Sequence, residues 1–202
     1  MSTALLYSGT PEGFVIGTDS RAVNKLTGQI ETDWERKIFA FENPRASIVF
    51  AWAGSVKVTG SHFGTVNLVT ETYESLSRLA FKNLFATDLA GDLRRKLNIF
   101  TVNTTGTLAV GIFLSFLKGS PWVSQIKVSK NGRKFDCSVE EGSANGSIDI
   151  VSGPEFDFDK PDSLNQAKDM IEHYIQECID DPRNEDIGGE VHVGKFTSAG
   201  FD

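Results

Sequence analysis

The side chains that most readily bind metals or attack electrophiles are few here: Cys137 and Cys178, and His62, His173 and His192. None of them falls at a ligand spacing, so neither a metal centre nor a cofactor is expected. The two cysteines lie far apart and read as buried thiols in a reducing compartment, the cytoplasm. His62 reads as a surface or capping residue. The run Glu155-Phe156-Asp157-Phe158-Asp159 has the carboxylates of a calcium or peptide site, but it reads as a solvated loop. Ser2 follows the initiator Met1 and is small enough for a methionine aminopeptidase to remove Met1. A serine in that place is common and by itself carries no function.

The formal net charge of −7 excludes whole function classes. Binding to phosphate backbones or to an anionic membrane surface needs a surplus of Lys and Arg on some face, so neither nucleic acid nor membrane is an expected partner. No apolar run approaches the roughly 20 residues that cross a bilayer. The first residues carry no basic stretch followed by an apolar one, so no signal peptide is read. At 202 residues, with 40% hydrophobic and 23% charged residues, the chain is expected to form a single domain over 1–202 with a substantial core.

The elements that must position any site follow from periodicity. Thr3 to Tyr7 and Phe14 to Thr18 read as strands joined by the turn-rich 8–13. Lys37 to Phe41 and Ser47 to Trp52 form a second pair around a turn at 42–45. These runs are nearly continuous in apolar residues, which predicts strands covered on both faces. Helical spacing follows over Val58 to Leu79 and Leu84 to Ile99, with Leu89, Leu93 and Leu97 on one face. Strands return at Leu108 to Leu117, Trp122 to Val128, Lys134 to Val139 and Ser147 to Val151, with an Asn131-Gly132 hairpin turn. Asp162 or Ser163 can cap a helix running to about Ile179, buried through Met170, Ile171, Tyr174, Ile175 and Cys178. Gly188-Gly189 opens a final strand, Glu190 to Phe196. Strands in blocks, not alternating with helices, predict an α+β fold with antiparallel sheets. Helices must cover what the sheets do not bury between them, which gives a four-layer α-β-β-α sandwich. Trp52, Trp122 and the phenylalanines read as core.

Several blocks together carry a resemblance. They are a small-residue N-terminus opening a strand, the block from Gly13 through Asp19-Ser20-Arg21-Ala22, Arg36-Lys37-Ile38 ahead of the third strand, Trp52-Ala53-Gly54-Ser55, Val151-Ser152-Gly153, and Gly188-Gly189. In combination the sequence resembles the proteasome β subunits and the bacterial proteasome-like peptidase, which are N-terminal-nucleophile hydrolases. The resemblance implies a hydroxyl on the first residue of the mature chain, with that residue's own α-amine as the general base. An α-amine titrates at about 8, so it can take a proton near neutrality without a histidine. Matching the first strand makes Ser2 the nucleophile, with one extra residue in the following hairpin. Thr3 matches without that insertion, after loss of a further residue. The resemblance implies that Asp19 and Lys37 pair beside the nucleophile and that the lysine lowers nearby pKa values. It implies too that the Gly54 N–H donates to an oxyanion and that Ser152 orients the amine.

The chain departs from the family pattern in two places. Where the family carries Asp-x-x-Ser before Gly-Gly, this chain has Asn184-Glu185-Asp186-Ile187. The segment 154–161 is also too short for the helix that follows the Ser-Gly element in the family. The resemblance therefore implies one of three activities. The first is a peptide or amide hydrolase that uses Ser2 and assembles with copies of itself in rings. The second is a non-catalytic subunit that keeps the fold for assembly or partner binding. The third is a hydrolase of a small amide.

Overall fold

A computed structural model describes residues 3–24, 27–43, 46–60, 64–79, 85–99, 106–117, 119–132, 134–142 and 144–201. Apolar residues dominate the N-terminal hairpin, β1 (Leu5–Thr10) and β2 (Gly13–Asp19), and every residue of β2 is buried. Period-2 alternation sends its side chains to two different cores. Leu5, Tyr7, Phe14 and Ile16 pack with Val49, Ala51, Ile112 and Leu114 from a second sheet. Ala4, Leu6 and Val15 pack with Ala167, Ile171 and Ile175 of a helix on the other side. Strands buried on both faces explain why these runs lack polar alternation.

The remaining elements follow in chain order. β3 (Ala22–Val23) and β4 (Ile30–Thr32) make a small hairpin. β5 (Ile38–Asn43) and β6 (Ala46–Gly54) form the second long pair. β7 (Lys57–Gly60) and β8 (Gly64–Asn67) make another short hairpin. Helices α1 (Leu68–Leu79) and α2 (Phe85–Leu97) come next, then β9 (Gly106–Leu117), β10 (Ser120–Asn131), β11 (Lys134–Glu141) and β12 (Ile148–Ser152). Helix α3 (Leu164–Asp180) precedes β13 (Val191–Thr197) and β14 (Gly200–Phe201).

The two main sheets run β12-β1-β2-β13-β14 and β11-β10-β9-β6-β5. Every strand pair among the described residues is antiparallel. The fold is thus α+β, with antiparallel sheets and, among the described residues, three helices. On the far face of the second sheet, Phe50, Trp52, Phe113 and Ile126 pack with Leu68, Leu76, Leu89 and Leu93 of α1 and α2.

The structure differs from the periodicity reading between Val58 and Asn67. The helix expected from Val58 starts at Leu68, and the residues before it form the β7–β8 hairpin. Gly60 and Gly64 disfavour a helix interior, while Thr59, Thr65 and Val66 favour an extended chain. Asn67 then starts the helix, its Oδ1 accepting from the Val69 N–H at 3.0 Å. His62, Pro44, Arg45 and Arg133 lie outside the described residues.

Helix α3 is capped by Ser163, whose Oγ accepts from the Gln166 N–H at 3.2 Å. The Gln166 Oε1 reaches back to the Asp162 N–H at 2.6 Å. This reciprocal arrangement satisfies two main-chain donors at the helix start. The helix lies close against β2 because Gly17 has no side chain. A Cβ there would overlap Ile171 Cγ2 and stand 2.9 Å from Ile175 Cδ1. Both obstacles are themselves buried. Gly17→Ala should therefore destabilise the protein by about 1–3 kcal/mol through overpacking. Urea unfolding measures this, and a neutral result would mean that α3 shifts freely on the sheet.

Candidate active site

Three polar side chains meet where the first strand begins. Thr3, Asp19 and Lys37 are 4%, 0% and 7% exposed, so each needs partners. Lys37 Nζ lies 2.9 Å from Asp19 Oδ1 and donates to Thr3 Oγ1 at 3.2 Å. Asp19 sits at the end of β2, and Lys37 immediately precedes β5. The contact therefore joins the inner end of one sheet to the edge of the other.

Asp19 divides its two oxygens between different parts of the chain. Oδ1 accepts from the Ala4 N–H at 3.0 Å as well as from Lys37. Oδ2 accepts from the Gly188 N–H at 3.1 Å and the Arg21 N–H at 3.3 Å. A buried carboxylate with this many donors is fixed in orientation. Burial pushes the Lys37 ammonium below its usual value of 10.5, outweighing the opposing pull of Asp19 and of Glu35.

A second layer of contacts holds the Gly188 loop. Arg21 Nε pairs with Asp33 Oδ1 at 2.7 Å, and its Nη1 donates to the Glu185 carbonyl at 3.0 Å. The Ser20 and Arg21 N–H groups donate to the Gly188 carbonyl at 3.2 and 2.8 Å. Ser20 Oγ bonds the Asp33 carbonyl and accepts from the Glu190 N–H at 2.6 Å. Gly189 has φ +78, and a Cβ there would overlap Ser20 Oγ and the Asp33 carbonyl. Arg21 stood in the sequence block that carried the resemblance but was given no role there. Asp33 and Gly188 gave no chemical signal in the sequence.

The other expected residues are placed as follows. Ser2 lies outside the described residues. Among the described residues, the hydroxyl that meets Lys37 is that of Thr3. Alternation along the chain gives Thr3 the phase of Leu5 and Tyr7, the side chains that face the other sheet. Ser152 ends β12 opposite Leu5, and its buried Oγ has no hydrogen-bond partner among the described residues. It lines a groove of about 480 Å³ together with Gly153, Pro154, Asn184 and Ile187. Gly54 ends β6 on the second sheet with φ +93, where a Cβ would overlap the Leu108 carbonyl. That position accepts only glycine without strain.

Neither cysteine belongs to this centre. Burial, reinforced by Asp136, pushes the Cys137 thiol up to about 12, and burial raises Cys178 as well. Both are thereby kept from forming a reactive thiolate near neutrality. Among the described residues no group of three or more His, Cys, Asp or Glu could hold a metal ion, and no helix is long and apolar enough to cross a membrane.

No family model matches the sequence, and no curated protein matches it. Solved structures do resemble it. An Anbu mutant from Hyphomicrobium sp. strain MC1 aligns with a TM-score of 0.69 at 15% identity, over 99% of this chain and 83% of that one. Anbu from Yersinia bercovieri, described as an ancestral beta-subunit, aligns at 0.64 and 15%, over 96% and 81%. A further Anbu structure from the Hyphomicrobium strain aligns at 0.68 and 14%, over 98% and 84%. The fold is thus of the proteasome-like kind at a coarse level.

These findings correct the family read from the sequence. The structural neighbours are Anbu proteins, and at 14–15% identity the likeness carries the fold alone. With no matching family model, the assignment to the proteasome β subunits of the N-terminal-nucleophile hydrolases is withdrawn.

Proposed function

We propose that this chain is a proteasome-like subunit that hydrolyses amide bonds at the Thr3–Lys37–Asp19 centre once the residues before Thr3 are gone. The observation that carries this reading is the Lys37 ammonium, buried, paired with Asp19 and donating to the Thr3 hydroxyl. A buried lysine aimed at a hydroxyl is an arrangement that lowers the hydroxyl's pKa. The freed α-amine of Thr3 takes the hydroxyl proton as Thr3 Oγ1 attacks the substrate carbonyl carbon. The amide C–N bond breaks, the proton passes to the departing nitrogen, and an ester remains on Thr3. Water then attacks that ester, which frees the acid and restores the hydroxyl. Gly54 supplies the main-chain donor for the oxyanion, and Ser152, whose buried Oγ has no partner among the described residues, orients the amine.

We read the three core clusters as the interfaces of a four-layer α-β-β-α sandwich spanning a single domain. The subunit assembles with copies of itself, in keeping with the description of one neighbour as a beta-subunit. Its substrate is a peptide or a small amide.

The test is labelling by a β-lactone, which acylates an activated hydroxyl. A chain beginning at Thr3 should be labelled at Thr3, and Thr3→Ala should not be labelled. If no label appears on the trimmed chain, the non-catalytic subunit becomes the better account. The pH profile gives a second check. The rate should rise as the amine loses its proton at about 8. It should fall again as Lys37 loses its own, at a pH below 10.5 because burial lowers that value. An alkaline limb at or above 10.5 would remove Lys37 from the reaction.

A further inference from the structure

We infer that the free edge of β13 is a docking site for an extended, acidic polypeptide segment, which joins the first sheet as an additional strand. β13 pairs with β2 along its whole length, Val191 opposite Asp19 through Thr197 opposite Gly13. On its other side β14 takes only Phe196 and Thr197. Among the described residues no strand pairs with the outer edge of residues 191–195. Alternate N–H and C=O groups along such an edge are satisfied by water or by another strand.

This edge lacks the usual guards. It contains no proline, and its register with β2 runs without a bulge. Its one lysine is drawn away, since Lys195 Nζ bonds Asn165 Oδ1 beside α3. Five residues offer an edge of about 17 Å, enough for one short strand.

A groove of about 430 Å³ runs beside the edge. Its opposite wall is the start of β5, itself an edge strand of the second sheet. Ile38 and Phe201 give apolar contact. The occupant's charge follows from the lining. Among the described residues Arg36 and His192 are the ionisable groups that line it. Glu190 lies 3.7 Å from His192 outside the lining, so the positive charge rests on Arg36. Arg36 Nε donates to the Ile38 carbonyl at 2.9 Å, which fixes the guanidinium at the groove. An acidic extended segment matches both the main-chain edge and this charge. The inference stands on the edge geometry and on the charge of the lining, and does not depend on hydrolysis.

The probe is a fluorescent decapeptide of alternating threonine and glutamate, followed by anisotropy and by amide hydrogen exchange. The acidic peptide should bind and slow exchange within residues 191–195. N-methylation of alternate peptide nitrogens, which blocks strand pairing, should weaken binding at least about tenfold. Replacing the glutamates by lysines should weaken it too, and Arg36→Gln should weaken the acidic peptide about two- to fivefold. The proposal is overturned by no binding, by binding indifferent to N-methylation, or by slowed exchange elsewhere. It is also overturned if 191–195 is protected without peptide in a way that grows with protein concentration, since a second copy would then cover the edge.

Discussion

Asp19→Ala is expected to destabilise the protein by about 3–5 kcal/mol, because it strands a buried ammonium. The Lys37 side chain is 8% exposed, and Asp19 is the carboxylate paired with it, at 2.9 Å. The same substitution takes the carboxylate acceptor from the Ala4 and Gly188 N–H groups, while the Arg21 N–H loses only the longer of its two bonds and keeps the Gly188 carbonyl. Asp19→Asn should be milder, because its carbonyl oxygen still accepts. The discriminating variant is Asp19→Ala combined with Lys37→Met, which removes the stranded charge and should recover more than half of the loss. Urea unfolding reads all four proteins. A loss below about 1 kcal/mol for Asp19→Ala, or no recovery in the double variant, would show that solvent reaches Lys37 after all.

The second large effect is on rate. In a chain that begins at Thr3, Lys37→Ala should lower kcat/KM by about 10²-fold, roughly 3 kcal/mol in the barrier. The loss should fall on kcat, since the ammonium acts on the reacting hydroxyl and touches it at 3.2 Å. Lys37→Arg should not restore the rate. A planar guanidinium cannot place one donor on Asp19 Oδ1 and another on Thr3 Oγ1 in the lysine's geometry. Rates must be taken per folded molecule, because Lys37→Ala also leaves Asp19 short of one donor. A fall of less than tenfold would mean that the lysine is a structural partner of Asp19 and nothing more.

Much of the fold was legible because its strands are buried on both faces. The apolar runs at Leu5 to Tyr7, Phe14 to Ile16 and Ile48 to Ala53 each feed two cores at once. A cap at Asp162 or Ser163 and the spacing of Met170, Ile171, Tyr174, Ile175 and Cys178 marked α3. The short hairpins were not legible. Ile30 is 52% exposed and β3 is two residues long, so neither alternation nor burial marks that pair. In β7–β8 the apolar residues Val58 and Val66 fall at a helical multiple, and only the glycines between them argue otherwise.

The site was less legible than the fold. Asp19 and Lys37 were singled out through a resemblance to a family to which the chain is not now assigned. Periodicity said nothing of them, since their contact spans 18 residues of chain. The choice between Ser2 and Thr3 is a one-residue shift, which in an extended chain exchanges one face for the other. The contact of Lys37 with Thr3 is what the proposal takes up, Ser2 lying outside the described residues.

The connectivity of the first sheet also sets when this centre can exist. Its two middle strands, β1 and β2, are made first on the ribosome, while their outer neighbours β12 and β13 are made last. The Gly188 N–H that fixes Asp19 is 169 residues further along the chain. Closing so long a loop is slow and comes late in folding. A nascent or prematurely terminated chain therefore holds Thr3, Asp19 and Lys37 without the frame that aims them. The centre gains its frame only once the chain has been made through Gly188 and has folded back onto β2, a delay written into strand order.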